Sequence, residues 1–207
     1  MLNLLRKDFI ALKSSLWISV LHFVIFSVTF MPQLDTSLYF IGIITAFAAL
    51  SLGTAIDIKN NSHQFLITLP IRRNQIILAK YASAVIYAVF WIVVSFAVHW
   101  LANIIIPELG KPNYSLADII ISIEITLVLA SIYLPLFYAL NKKGATVINS
   151  LFIVSFIIFA QPTTYMINNI NESGFLNQLT FLFPVATLAL FGASYYLTTK
   201  LFARRAI

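Results

Sequence analysis

Apolar residues fall along the chain in six long blocks: Ser15–Met31, Leu38–Ile56, Ala82–Ile106, Leu116–Leu140, Ala145–Ala160 and Leu179–Phe202. A helix needs about 20 mostly apolar residues to cross a bilayer, so each block reads as one transmembrane span. Between them lie the polar stretches Pro32–Ser37, Asp57–Tyr81, Pro107–Ser115, Asn141–Gly144 and Gln161–Gln178. The pattern predicts an all-α polytopic membrane protein of six transmembrane helices in one domain, without internal repeats. The first fourteen residues follow a different rule. Leu2, Leu5, Phe9, Leu12 and Leu16 recur at helical spacing, while Asn3, Arg6, Lys7, Lys13 and Ser14 fall on other faces. This is the pattern of a short amphipathic helix lying in the membrane interface, the alternative being a plain extension of the first span.

Composition agrees with lipid as the main solvent. Of 207 residues, 60% are hydrophobic and only 10% charged, against roughly 25% charged in a soluble domain. The 18 Phe, 9 Tyr and 3 Trp suit wide hydrocarbon and interfacial zones. There is no Cys, which excludes disulfides and thiolate metal sites. The first apolar run resembles a signal peptide in length, but Met31-Pro32-Gln33 makes a poor cleavage site, so retention is expected.

Charge distribution orients the spans. Alternating the loops across the bilayer collects Arg6, Lys7, Lys13, Lys59, Arg72, Arg73, Lys80, Lys142, Lys143, Lys200, Arg204 and Arg205 on one side. The other side receives Lys111 alone, with Asp35, Glu108, Asp118 and Glu172. By the positive-inside rule the basic side is cytoplasmic, and both termini lie on it. Juxtamembrane loops account for the net charge of +6 without any nucleic-acid partner.

Enzyme chemistry has little foothold. No G-x-x-x-x-G-K-[ST] occurs, Gly110-Lys111 being the only Gly-Lys, so the chain cannot hydrolyse ATP alone. Gly192-Ala193-Ser194 lacks the following Gly of a serine-nucleophile turn, and no H-E-x-x-H is present. Intramembrane ionisable groups are the remaining candidates, because charge in hydrocarbon is costly. Glu124 and His99 each lie about 10 Å from the outer ends of their spans, on ~1.5 Å rise per residue. A His99–Glu124 hydrogen bond or ion pair is one reading. The other leaves Glu124 protonated, or near interfacial water where the helix N-terminus favours an anion. His22, midway along the first span, reads as a helix-contact residue. Pro135 should kink the fourth span, and Asn149, Ser150 and Ser155 can bond across helices. Gly144 is placed to cap the fourth span in a tight Asn141–Gly144 hairpin.

The long cytoplasmic loop Asp57–Tyr81 carries Phe65, Leu66 and Leu69 as an apolar cluster outside any span. Pro70 ends it, Arg72 and Arg73 follow, and Asn74 is placed to cap the next helix. Such an element suits either a docking surface for a cytoplasmic partner or a lipid-facing surface helix.

Here the chain resembles the permease subunits of ABC-2 type ATP-binding-cassette transporters. Their motif L-P-[VI]-[ST]-R-x-x-I-[VI]-x-[AS]-K-Y stands as Leu69-Pro70-Ile71-Arg72-Arg73-Asn74-Gln75-Ile76-Ile77-Leu78-Ala79-Lys80-Tyr81, with Arg72 replacing the small hydroxyl residue. The likeness extends to the basic N-terminus, to Leu134-Pro135-Leu136-Phe137 and to Ser194…Lys200…Arg204-Arg205. It implies one ABC-2 transmembrane domain over residues 1–207, with an interfacial helix at 1–14 and a coupling loop at 57–81. It also implies that Phe65, Leu66, Leu69, Pro70, Ile71, Arg72 and Arg73 contact a separate ABC ATPase subunit. ATP and Mg would then be bound by that partner, and this chain would bind no cofactor. A second permease copy, a bacterial plasma membrane and an exporter role complete the implied setting. Compact members of this type are associated with antimicrobial-peptide resistance and with export of amphipathic toxin peptides such as phenol-soluble modulins. A proton-driven carrier using Glu124, or a non-transporting immunity or assembly factor, are the alternatives from other classes.

Overall fold

Proline positions explain where two of the helices end. In a computed structural model, residues 2–34, 37–60, 72–109, 114–140, 143–152, 154–155 and 182–205 are described. The elements are α1 (Leu2–Phe30), α2 (Ser37–Lys59), α3 (Arg73–Ile105), a short 3-10 turn (Pro107–Leu109), α4 (Leu116–Ala139), α5 (helical at residues 143–152 and 154–155) and α6 (Leu182–Arg205). No strand occurs among the described residues. Neither Gly nor Pro interrupts α1 or α3. Each stops just before a proline, Pro32 and Pro107, because a residue preceding proline is pushed out of helical geometry.

Two boundaries differ from the sequence-based expectation. The interfacial helix over residues 1–14 is not a separate element: α1 runs unbroken for 29 residues. Ser14 and Ser15 lower helix propensity only slightly and supply no break. At ~1.5 Å per residue α1 is about 43 Å long, longer than the ~30 Å hydrocarbon layer. Likewise Gly144 does not cap α4. That helix closes at Leu140 in extended geometry, and Gly144 lies inside α5.

Four helices, α2, α3, α4 and the Leu182–Ala203 part of α6, are long and apolar enough to cross a membrane. Trp17–Phe30 of α1 forms a shorter apolar stretch. α2 is the central helix, with 78% of its apolar window buried, whereas α6 buries only 17% and lies at the periphery. Around α2 the core collects Phe47, Leu50, Ile77, Trp91, Tyr133 and Phe137. The outward faces carry exposed apolar residues such as Val24 and Val28 of α1, Phe90 and Ile104 of α3, and Val185 and Leu188 of α6. On a membrane protein these are lipid-facing positions.

α2 and α3 form an antiparallel hairpin. Ser37 meets His99 at one end, Gly42 sits against Ile92 and Ser95, and Asp57 meets Lys80 at the other end. A Cβ on Gly42 would lie 3.3 Å from Ile92 Cγ1, so the absent side chain is what lets the two backbones approach.

Candidate functional site

The loop singled out by sequence enters and leaves the bundle at the basic end of the α2–α3 hairpin. Phe65, Leu66, Leu69, Pro70 and Ile71 lie outside the described residues. Arg72 is exposed and immediately precedes α3 in extended geometry. It occupies the N-cap position itself, without a side-chain cap, so Asn74 falls in the first turn instead of capping it. Arg73 donates through Nη1 to the carbonyl of Ala203 at 3.0 Å. A guanidinium at the C-terminal end of α6 meets carbonyls that lack helical partners and the negative end of the helix dipole.

Two turns further along α3, adjacent residues fasten it in two directions. Lys80 turns to α2, where its Nζ lies 2.5 Å from Asp57 Oδ2, with both side chains buried. Sequence reading had counted Lys80 as one more interfacial cation and had left Asp57 unassigned. The signal was present, since these residues are close to the two ends of the polar stretch and carry opposite charges. Tyr81 turns to α6. Its ring meets Phe191 and Tyr195 edge-on at 4.9 and 5.5 Å, and its hydroxyl reaches Ser194 Oγ at 2.6 Å and Thr198 Oγ1 at 2.8 Å. Tyr195 in turn donates to the carbonyl of Asn74 at 3.4 Å.

A second polar cluster ties α2, α4 and α5. Tyr133, fully buried, donates to Asn149 Oδ1 at 3.1 Å and lies 2.5 Å from Thr54 Oγ1. Asn149 Nδ2 donates to the carbonyl of Ser51 at 3.1 Å. Phe47 and Phe152 pack against the Tyr133 ring. Asn149 therefore bonds across helices as its residue type suggested. Ser150 instead returns its hydroxyl to the Thr146 carbonyl one turn back.

At the opposite end, His99 and Glu124 do not pair. His99 Nδ1 lies 2.8 Å from the Ser95 carbonyl, which can only accept, so that nitrogen carries the proton. In the neutral ring Nε2 then accepts from Ser37 Oγ at 2.8 Å. The ring also meets Tyr114 edge-on. Glu124 is buried on α4, and the His99 ring nitrogens are bonded elsewhere. Nearby, Asp118 completes a capping box with Ser115 and receives the Tyr39 hydroxyl. His22 is half-buried, bonded through Nδ1 to the Ile18 carbonyl and stacked on Phe26, a packing role. Pro135 is buried inside α4, which continues helical through it. No group of three or more His, Cys, Asp or Glu suited to a metal occurs among the described residues.

Long apolar helices, with buried polar side chains bonded across their seams, define an all-α polytopic membrane protein. Comparison with protein families is more specific: residues 3–203 match the family described as ABC-2 family transporter protein. The chain belongs to that family, and is a membrane permease of an ABC transporter. No curated protein and no solved structure matches it.

Proposed function

We propose that the chain is the membrane-spanning subunit of an ATP-driven exporter, paired with a second permease copy and powered by a separate ABC ATPase. The observation that carries this reading is the family match across residues 3–203, together with a sequence that has no phosphate-binding loop of its own. On this reading the chain has six spans in a bacterial plasma membrane with its basic end in the cytoplasm, and the stretch Phe65–Arg73 is the ATPase contact. The anchors on α3 support the same reading. Force applied at a loop is transmitted only if the helix it leads into is fastened to its neighbours, and Arg73, Lys80 and Tyr81 supply such fastenings. The cargo class that suits the chain is an amphipathic or hydrophobic peptide, of the toxin or antimicrobial type, because an apolar peptide face needs apolar, aromatic walls.

Isolation of the chain with its native partners tests the proposal. An ATPase bearing a Walker motif should co-purify, and deletion of residues 65–73 should abolish that association while the remaining protein stays in the membrane. Glu124, a carboxyl buried within a membrane span, favours the second reading, a proton-driven carrier. If no ATPase co-purifies, and transport survives ATP depletion but is lost in Glu124→Gln, the second reading replaces the first.

A further inference from the structure

Pro135 has no N–H, so the carbonyl of Ser131, four residues earlier, loses its helical donor. Ser194 of α6 supplies a replacement: its Oγ donates to that carbonyl at 2.6 Å. The remaining hydroxyls around it then have one consistent arrangement. Ser194 has a single proton, already given to Ser131, so it accepts from Tyr81 at 2.6 Å. Thr198 gives its proton to the Ser194 carbonyl at 2.8 Å, so it too is an acceptor for Tyr81, again at 2.8 Å. Tyr81 is therefore the donor at the head of a directed chain, Tyr81 to Ser194 to the carbonyl freed by Pro135. Ser131, Ser194 and Thr198 are all buried, so water does not substitute for these bonds.

We propose that Ser194, held in place by Tyr81, is a positioning residue that locks the proline break of α4 to the foot of α3. Movement of α3 is then passed to the last turns of α4 through this lock. The role in transport rests on the reading of the 57–81 loop as the ATPase contact; the lock itself does not. Tyr81 follows directly on Lys80, whose ion pair fixes the same turn of α3 to α2. A shift of that turn therefore reaches α2 through a charge pair and α4 through two hydroxyls. The arm beyond Ser131 is about 13 Å long on ~1.5 Å rise per residue, so a swing of roughly 20° displaces its end by about 4 Å.

Two measurements test the proposal, the first without any ATPase. In detergent, Ser194→Ala should lower the Tm by roughly 2–8 °C, the loss expected for one buried carbonyl left without a donor. In a Pro135→Ala background the restored N–H bonds Ser131 directly, and Ser194→Ala should then lower the Tm far less. Ser194→Thr, which keeps the hydroxyl, should stay near wild type. Equal losses in both backgrounds would overturn the lock. The second measurement uses the chain with its co-purified ATPase in nanodiscs, with spin labels at Leu78→Cys and Leu140→Cys, both exposed positions in a protein without native cysteine. Vanadate-trapped ATP should shift the label distance by about 4 Å in wild type. Tyr81→Phe and Ser194→Ala should keep the ATPase bound and hydrolysing but lose most of that shift. A full shift in both variants would overturn the transmission role. A wild-type chain that binds no ATPase would overturn the coupling reading and the transmission role together, leaving the lock to the Tm cycle.

Discussion

Replacing Lys80 with methionine removes the positive half of the buried Asp57–Lys80 pair while keeping a long, unbranched side chain. At 2.5 Å and an effective dielectric of about 20, two unit charges attract by about 7 kcal/mol. Desolvation opposes this by several kcal/mol for each ion, so the intact pair contributes little net stability over an apolar pair of similar volume. A single substitution is a different matter, because it strands one buried charge. Lys80→Met and Asp57→Leu should each destabilise by about 3–5 kcal/mol. The corresponding fall in Tm is roughly 10 °C for a chain of this size. The double variant Asp57→Leu/Lys80→Met should recover most of that loss, since it removes both charges at once. Thermal unfolding of the four proteins in one detergent, arranged as a double-mutant cycle, measures the coupling directly. If the double variant loses as much as the two single variants combined, the two side chains are not acting as a pair, and the fastening of α3 to α2 must lie elsewhere.

Three further outcomes are expected. Gly42→Leu forces a side chain against Ile92 and Ser95 and should cost about 1–3 kcal/mol by overpacking, read as a lower Tm; Gly42→Ala, needing only a few tenths of an ångström from Ile92, should cost less. Ser115→Ala removes the N-cap of α4, with an expected loss of about 0.5–2 kcal/mol and faster amide exchange confined to its first turn. Tyr133→Phe deletes the hydroxyl shared by Thr54 and Asn149. It should cost about 0.6 kcal/mol, and at most about 1.7, the average and maximum measured for hydrogen bonds between membrane helices, and a near-zero change in a denaturant titration would show that the two partners re-pair without it.

Helix placement was legible because hydrocarbon thickness and the cost of placing charge in it both act on local sequence. The α2 and α4 boundaries fall within a few residues of the apolar blocks, and Pro32 and Pro107 stop their helices as sequence alone implies. The start of α3 at Arg73 falls one residue from the Asn74 cap read from sequence, whereas α1 follows the plain extension and not the interfacial helix, because the polar residues at its start carry no breaker. An apolar-run criterion ends at the membrane surface, whereas a helix need not. The partners of polar residues were less legible. His99 and Glu124 were matched on equal depth, yet depth does not fix azimuth, and His99 faces Ser37 and Tyr114 instead. Lys80 was hidden by the charge pattern: one cation among twelve on the same side gives no sign that it is buried. Ser194 was considered only as a failed nucleophile and as one position in the family likeness. Its partner is a backbone carbonyl exposed by a proline on another helix, a relation that no spacing along the chain encodes.

The central position of α2 also bears on how the chain enters the membrane. α2 emerges during synthesis before α3, α4 and α5, so for a time the face they will cover meets lipid. Three of its hydroxyls are prepared for that interval. Thr45 donates to Ile41, Ser51 to Ala48 and Thr54 to Ser51, each to a carbonyl within the same helix. These bonds need no neighbour, and they keep the polar groups satisfied until Tyr133 and Asn149 arrive. Ser37, Tyr39 and Asp57 have their partners on later helices, and of these only Asp57 carries a charge, answered by Lys80 on the next helix. The smallest piece of this protein that can settle in a bilayer with that charge answered is therefore the α2–α3 hairpin, and its closure sets the frame on which the later helices assemble.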